Sequence, residues 1–238
     1  MEFRVMTFNI HHARGLDGCV SLERVLRLIR SAGPLDLIGL NEVDVCYGKR
    51  SGWLNQAEYF SQELKMDYLF SPSISSTTGY YGNLLLSKYP IREGKTHLIT
   101  GAYAENRSFI ECEVKINQHF IKTYVTHVSL SSVTQAIQMK QLSHHILEDQ
   151  LENKHVLLMG DFNFSPSHFY YQKLTKQLKD VWKTLHPNKK GATFPSVCSF
   201  FRFDYIMITP TMEATSATLI KNSRIASDHL PLVATIKI

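Results

Sequence analysis

Four short apolar runs in this chain each stop at a polar residue. The run over 5–8 ends at Asn9, 37–40 leads into Glu42, 124–126 ends at His127, and 156–159 passes through Gly160 to Asp161. Runs of four or so apolar residues bounded in this way read as buried strands. Where such strands feed into loops, a rigid scaffold commonly presents its catalytic groups. For any single residue a cap or turn role is the commoner explanation, because Asn and Asp favour turns. Four repetitions reverse that balance and point to a layered fold with a polar site at the ends of its strands.

The rest of the chain supports layers. Residues 1–9 read as a strand, and Leu22, Val25, Leu26 and Ile29 then fall on one helical face that Gly33-Pro34 terminates. A helix is expected over 56–64, followed by strands over 68–71, 82–87, 95–99, 108–116 and 120–127. Ser131-Ser132 can cap a long helix whose buried stripe includes Ala136, Met139, Leu142 and Ile146. A shorter helix over 169–178 and strands over 204–208 and 233–238 complete the order. Strands outnumber helices and the helices are interspersed, so two packed sheets with helices on their outer faces explain the order better than one parallel sheet. No repeat or linker divides residues 1–238, and a single domain is expected.

Composition narrows the class. Hydrophobic residues make up 44% and charged residues 20%, which argues against disorder and fibrous structure. The first residues alternate like a strand and lack the apolar core of a signal peptide, and no apolar run approaches the ~20 residues that span a bilayer. A cytoplasmic protein is the expectation. Cys19, Cys46, Cys112 and Cys198 are scattered without a CxxC pair, which fits reduced thiols. The net charge of +5 favours anionic substrates by long-range attraction but does not single out nucleic acid. The lysines of 173–179 and 189–190 form runs too short for a binding stripe and read as solvated surface.

Further motifs sharpen the chemistry. Ser227-Asp228-His229 joins a histidine to a carboxylate, and Gly160-Asp161-Phe162-Asn163 places an Asp-x-Asn turn after an apolar strand. With the isolated acid Glu42 these are the parts of a metal-assisted phosphoester hydrolase. The segments Thr7-Phe8-Asn9-Ile10, Asn41-Glu42-Val43-Asp44, Gly82-Asn83-Leu84-Leu85-Leu86-Ser87, Thr126-His127, Gly160-Asp161-Phe162-Asn163, Arg202-Phe203-Asp204-Tyr205-Ile206 and Ser227-Asp228-His229-Leu230-Pro231-Leu232 occur in an order that resembles the endonuclease/exonuclease/phosphatase superfamily. One such segment is weak evidence; seven in order, from one terminus to the other, are strong.

The resemblance implies a four-layer α/β sandwich of two mostly antiparallel sheets flanked by helices. It makes His229 the central phosphate-contacting residue, oriented by Asp204. Residues adjacent along a chain point apart, so Asp204 is a better partner for His229 than Asp228. Glu42 would bind a divalent metal, with Asn9 and Asp228 beside it; these hard oxygen ligands suit Mg²⁺ or Mn²⁺. Asp161 would orient or deprotonate the attacking water, Asn163 would hold a phosphate oxygen or water, and His127 would donate to a non-bridging oxygen. Asn83 and Arg107 are expected at the substrate phosphate. Position 41 carries Asn where many relatives have Gln, an amide shortened by one methylene.

Other residues read more plainly. His11-His12 is compatible with a place near the site and equally with a solvated loop, Asp44 is assigned to holding a loop, and adjacent His144-His145 cannot share one helical face as a metal pair. Trp53, Tyr80-Tyr81, Phe169-Tyr170-Tyr171 and Phe200-Phe201 are candidates for base stacking or lipid contact, with burial the expectation for most. The leading expectation is a monomeric Mg²⁺- or Mn²⁺-dependent phosphodiesterase acting on nucleic acid. Hydrolysis of a small or lipid phosphoester is the alternative, and a non-catalytic binding module ranks last because every key acid and histidine is present.

Overall fold

The computed structural model describes residues 1–100, 104–152, 154–222 and 225–238. In chain order the elements are β1 (Glu2–Asn9), α1 (Leu22–Ser31), β2 (Leu37–Val45), α2 (Gln56–Leu64), β3 (Asp67–Ser75), β4 (Tyr80–Ser87), β5 (Ile91–Ile99), β6 (Arg107–Ile116), β7 (His119–His127), α3 (Ser132–Leu151), β8 (His155–Asp161), α4 (Phe169–Leu174), β9 (Lys179–Asp180), α5 (Val181–Leu185), β10 (Asp204–Ile208), β11 (Glu213–Leu219) and β12 (Leu232–Lys237). The strands form two six-stranded sheets, ordered β11-β12-β1-β2-β4-β3 and β5-β6-β7-β8-β10-β9. The result is an α/β sandwich.

Each sheet contains one parallel pair, β1 with β2 and β7 with β8, among antiparallel neighbours. Parallel strands cannot be joined by a tight turn, and α1 and α3 supply the two crossovers. Ser21 caps α1 by accepting from the Arg24 amide at 3.3 Å, and Leu22, Val25, Leu26 and Ile29 are buried on one face. In α3 the expected stripe holds for Met139, Leu142 and Ile146, whereas Ala136 is only half-buried.

The central strands are apolar on both faces. In β1, Phe3 and Val5 enter the core between the sheets, while Met6 and Phe8 face the layer under α1. In β8, Leu157 and Met159 face the inter-sheet core, while Val156 and Leu158 pack toward α3 and α4. The period of two therefore sends Asn9, Asn41, His127 and Asp161 to the inner faces, all at the carboxyl ends of the two parallel pairs.

Three segments depart from expectation. The helix expected over 169–178 stops at Leu174, because the chain turns there to pair β9 with β10. The strand β11 reads Glu-Ala-Thr-Ser-Ala-Thr-Leu; as a half-exposed edge it needs no apolar alternation to announce it. The five-residue α5 also carries too little periodicity to be read from sequence. No helix among the described residues is long and apolar enough to cross a membrane.

Candidate active site

The site grows from the ends of the parallel pairs. Asn9 lies opposite Asn41 in one sheet and His127 opposite Asp161 in the other. Antiparallel neighbours add groups from their amino-terminal ends: Asp204 opens β10 opposite Asp161, and the segment before β12 brings Asp228 and His229. Of these, His127, Asp161, Asp228 and His229 line a cleft of about 370 Å³ together with Glu42 and flanking loops, and Asn9, Asn41 and Asp204 lie behind its wall.

A buried seam fixes the frame. Asn41 Nδ2 donates to Asn83 Oδ1 at 2.8 Å and to the Thr126 carbonyl at 2.9 Å, while its Oδ1 accepts from the Asp161 amide at 3.0 Å. The shorter amide at position 41 thus binds one sheet to the other. Asn83 does not reach the cleft: it is buried, and its Nδ2 donates to the Ser108 carbonyl at 2.8 Å. The expectation of a phosphate contact from Asn83 is corrected, because both polar ends of its amide serve the seam.

Asp161 needs the glycine before it. Gly160 has φ +147, and a Cβ there would lie 1.9 Å from the Thr126 carbonyl oxygen. Only glycine lets β8 approach β7 closely enough to aim Asp161 inward.

Glu42 reaches the cleft by a different device. Its position in the strand alternation would point it toward α1 and α2, but β2 slips register against β4 between Leu40 and Val43, and Glu42 takes φ 60. The bulge turns the carboxylate into the cleft. Asn9 Nδ2 then donates to Glu42 Oε1 at 2.9 Å and to Asp161 Oδ2 at 3.0 Å, while Asn9 Oδ1 accepts from the His11 amide. Asp228 is part-exposed beside this group, with His11 Nδ1 3.9 Å from its Oδ1.

His229 is buried, and its Nδ1 lies 2.8 Å from Asp204 Oδ2. Its Nε2 is 3.7 Å from Asp161 Oδ2. Burial opposes a charge on this ring, but the carboxylates of Asp204 and Asp161 outweigh it and raise its pKa to about 10. For Asp161, burial raises the pKa; Asp204 reinforces that effect while His229 and the Asn9 hydrogen bond oppose it, leaving the carboxyl at about 7. The pair is an imidazolium beside a carboxylate able to exchange a proton near neutrality.

His127 enters differently. Asn163 Nδ2 is 3.0 Å from His127 Nε2 and donates also to the Val128 carbonyl at 2.9 Å. An amide N–H can only donate, so His127 Nε2 is an acceptor. Burial, Arg107 and His229 hold its pKa well below the usual histidine range. In this arrangement His127 is a neutral ring held by Asn163, and Nε2 as placed here is not free to make the expected donation to a non-bridging oxygen. The Asn163 amide nitrogen is in turn committed to His127 and Val128.

Arg107 lines the cleft, buried, with its Nη1 3.1 Å from Glu105 Oε2. Sequence reasoning missed Tyr47 and Arg50. Asp44 does hold a loop: it takes Arg50 by two bonds of 2.6 and 2.9 Å, and the guanidinium lies over Tyr47 at 4.2 Å and Tyr81 at 5.1 Å. His12 is buried at the cleft wall, where burial, Arg50 and His11 lower its pKa to about 4. Of the aromatic candidates only Tyr81 lines the cleft, and Trp53, Tyr80, Phe169, Phe200 and Phe201 are exposed where burial was expected for most. Arg202 is structural, paired with Asp180 at 2.7 Å in the interior.

The family profile described as "Endonuclease/Exonuclease/phosphatase family" matches residues 6–229. The chain belongs to that family. Its superfamily consists of phosphoester hydrolases that generally depend on a divalent metal. Over 99% of this chain and 96% of the relative, it is 23% identical to the uncharacterized protein YbhP of Escherichia coli K12. The fold matches an endonuclease/exonuclease/phosphatase from Beutenbergia cavernae with TM-score 0.82 at 20% identity, covering 100% of this chain and 72% of that one. It also matches a mannosyl-6-phosphatase from Bacteroides thetaiotaomicron with TM-score 0.80 at 16% identity, covering 99% and 100% of the two chains.

Proposed function

We propose that this chain is a Mg²⁺- or Mn²⁺-dependent phosphoester hydrolase whose substrate is compact enough to enter a bounded cleft. The observation that carries the reading is the placement of Asp161 between His229 and Asn9, with Glu42 on the far side of the Asn9 amide. An amide nitrogen bridging two carboxylates marks a place where positive charge is wanted. The hard carboxylates of Glu42 and Asp228 suit a small divalent ion, which Glu42 would anchor, while Asn9 Nδ2 holds Glu42 Oε1 in place. Such an ion, when bound, supplies charge neutralisation at the phosphoryl oxygens.

The chain's own groups supply the rest. Asp161, with a pKa of about 7, is suited to take the proton of the attacking water as it adds to phosphorus. The charged His229, locked by Asp204, is suited to stabilise the oxygen on which negative charge develops as the bond to the leaving group breaks. Arg107 and Arg50 add positive charge along the wall for anionic groups beyond the reacting centre.

A cleft of about 370 Å³ lies in the range that encloses small ligands, which favours a small phosphoester over a polymer. The structural likeness to a mannosyl-6-phosphatase is compatible with that preference. Nucleic acid is the second reading, supported by the +5 net charge and the exposed Trp53, Tyr80, Phe200 and Phe201. The deciding experiment assays the purified protein with Mg²⁺ or Mn²⁺ against sugar phosphates, a chromogenic phosphodiester, sphingomyelin, single- and double-stranded DNA and RNA. Turnover of small esters is expected, and turnover confined to polynucleotides selects the second reading. No turnover of any substrate with either metal, by protein of native circular dichroism, would sink both.

A further inference from the structure

A second cluster of metal-ligating groups lies on the outer face of the second sheet. His97 stands on the edge strand β5, Glu111 on β6 and His145 on α3, which crosses over this face. Register brings the first two together: His97 pairs with Phe109, and Glu111 lies two residues further along on the same face. His97 Nε2 is 2.8 Å from Glu111 Oε2, and His145 Nδ1 is 3.4 Å from the same oxygen. All three ligand atoms fall within 4.8 Å of one another.

We infer that His97, Glu111 and His145 form a Zn²⁺ site that staples α3 to the edge of the sheet. The donor chemistry decides the ion. Two imidazoles and one carboxylate are a borderline set that suits zinc. Tetrahedral zinc with bonds of 2.0–2.1 Å needs ligand atoms about 3.3 Å apart. The His145–Glu111 separation of 3.4 Å already meets that. The His97–Glu111 pair at 2.8 Å must open by about half an ångström, which exchanging a hydrogen bond for two metal bonds achieves.

The surroundings prepare these ligands. His97 stacks on Phe109 with centroids 4.4 Å apart and planes within 14°, which fixes its ring. Burial acts most strongly on His97 and holds its pKa below the usual value despite Glu111, leaving the imidazole neutral as a ligand must be. Burial works to raise the Glu111 pKa, but Lys122 and His97 overcome it and keep the carboxylate ionised. Lys122 Nζ sits 2.9 Å from Oε1, the other oxygen, so it orients the carboxylate with Oε2 facing the imidazoles. Both histidines are partly exposed, so water can reach a fourth position.

The competing explanation is a metal-free polar network in which Glu111 is satisfied by Lys122 and the two histidines. Titration of metal-stripped protein with Zn²⁺ separates the two, comparing wild type with His97→Gln/His145→Gln. Wild type should bind one more tight zinc equivalent than the double variant. The visible absorption that Co²⁺ gives at a tetrahedral N/O site should survive in Glu42→Gln, which disables the His11-His12-Glu42 group of the cleft, and should fall in the double variant. Equal zinc stoichiometry and equal cobalt spectra in wild type and the double variant would overturn the inference. If the double variant does not fold, His145→Gln serves instead, since its ring is partly at the surface. It should weaken zinc binding by at least about tenfold, and unchanged affinity would refute the site.

Discussion

Asp204→Asn isolates the electrostatic core of the proposed chemistry. The His229 pKa rises from 6.5 to about 10, which corresponds to roughly 5 kcal/mol of preference for the charged ring. Burial opposes that preference, so the carboxylates supply all of it, Asp204 most and Asp161 next. Removing the Asp204 charge while keeping Asp161 should cost somewhat more than half, about 3 kcal/mol, or roughly a hundredfold in kcat/KM. An asparagine can still accept from Nδ1–H, so ring orientation survives and the loss is one of charge. The assay is kcat/KM across a pH series on whichever substrate wild type turns over, with folding checked by circular dichroism. Wild type should hold its rate until pH approaches about 10, where His229 loses its proton, whereas the variant should lose rate from a lower pH. If the two residues act as one unit, Asp204→Asn/His229→Ala should be little worse than His229→Ala alone. A single variant within about threefold of wild type across the series, or fully additive losses, would refute the reasoning.

Three further outcomes are expected. Glu42→Gln should weaken metal-supported turnover, because a neutral amide cannot match a carboxylate for a hard ion; an unchanged metal titration and rate would remove Glu42 from the site. Gly160→Ala should destabilise the fold by more than about 2 kcal/mol in denaturant unfolding, since the added Cβ meets the Thr126 carbonyl at 1.9 Å. In metal-free protein, His229 has a folded pKa raised above its unfolded value. Its stabilisation is thus complete below 6.5 and is lost as pH rises toward 10. Between pH 7 and 9 unfolding free energy should fall by up to about 1.4 kcal/mol per pH unit, and Asp204→Asn should flatten that slope; equal slopes in the two proteins would contradict the assignment.

What could be read in the sequence follows from which signals are local. The carboxyl-end residues Asn9, His127 and Asp161 were visible because an apolar run announces where a strand ends, and the period of two then dictates which face each occupies. Asp204 could be matched to His229 because neighbours along a chain diverge, and Asp204 Oδ2 is the atom that His229 Nδ1 meets. Asn83 was misjudged since a motif states residue type but not direction; in the middle of β4 its inward side chain meets the facing sheet before it can meet solvent. Arg50 and Tyr47 left no trace, because a polar loop has no periodicity and only the pairing with Asp44 brings the guanidinium over Tyr81. The His97–Glu111–His145 cluster was equally hidden, joining two strands and a helix that no local pattern relates.

Backbone strain also falls at the site. His11, His12, Ala13, Glu42 and Asn163 all have φ between 44 and 62, a left-handed region that costs a non-glycine residue about 1 kcal/mol or more each. An extended strand cannot aim consecutive side chains the same way, yet the cleft requires Asn41 to reach across to Thr126 while Glu42, next to it, joins Asn9. The left-handed residue at the bulge is the geometric means of doing both. Such a conformation persists only where its surroundings overdetermine it, and here the Asn41 amide, tied to Asn83, Thr126 and the Asp161 backbone, anchors the residue immediately before it. The polar seam between the sheets thus offsets its desolvation by complete pairing and, in the same bonds, fixes the relative positions of Glu42 and Asp161, the two carboxylates on which the proposed chemistry turns.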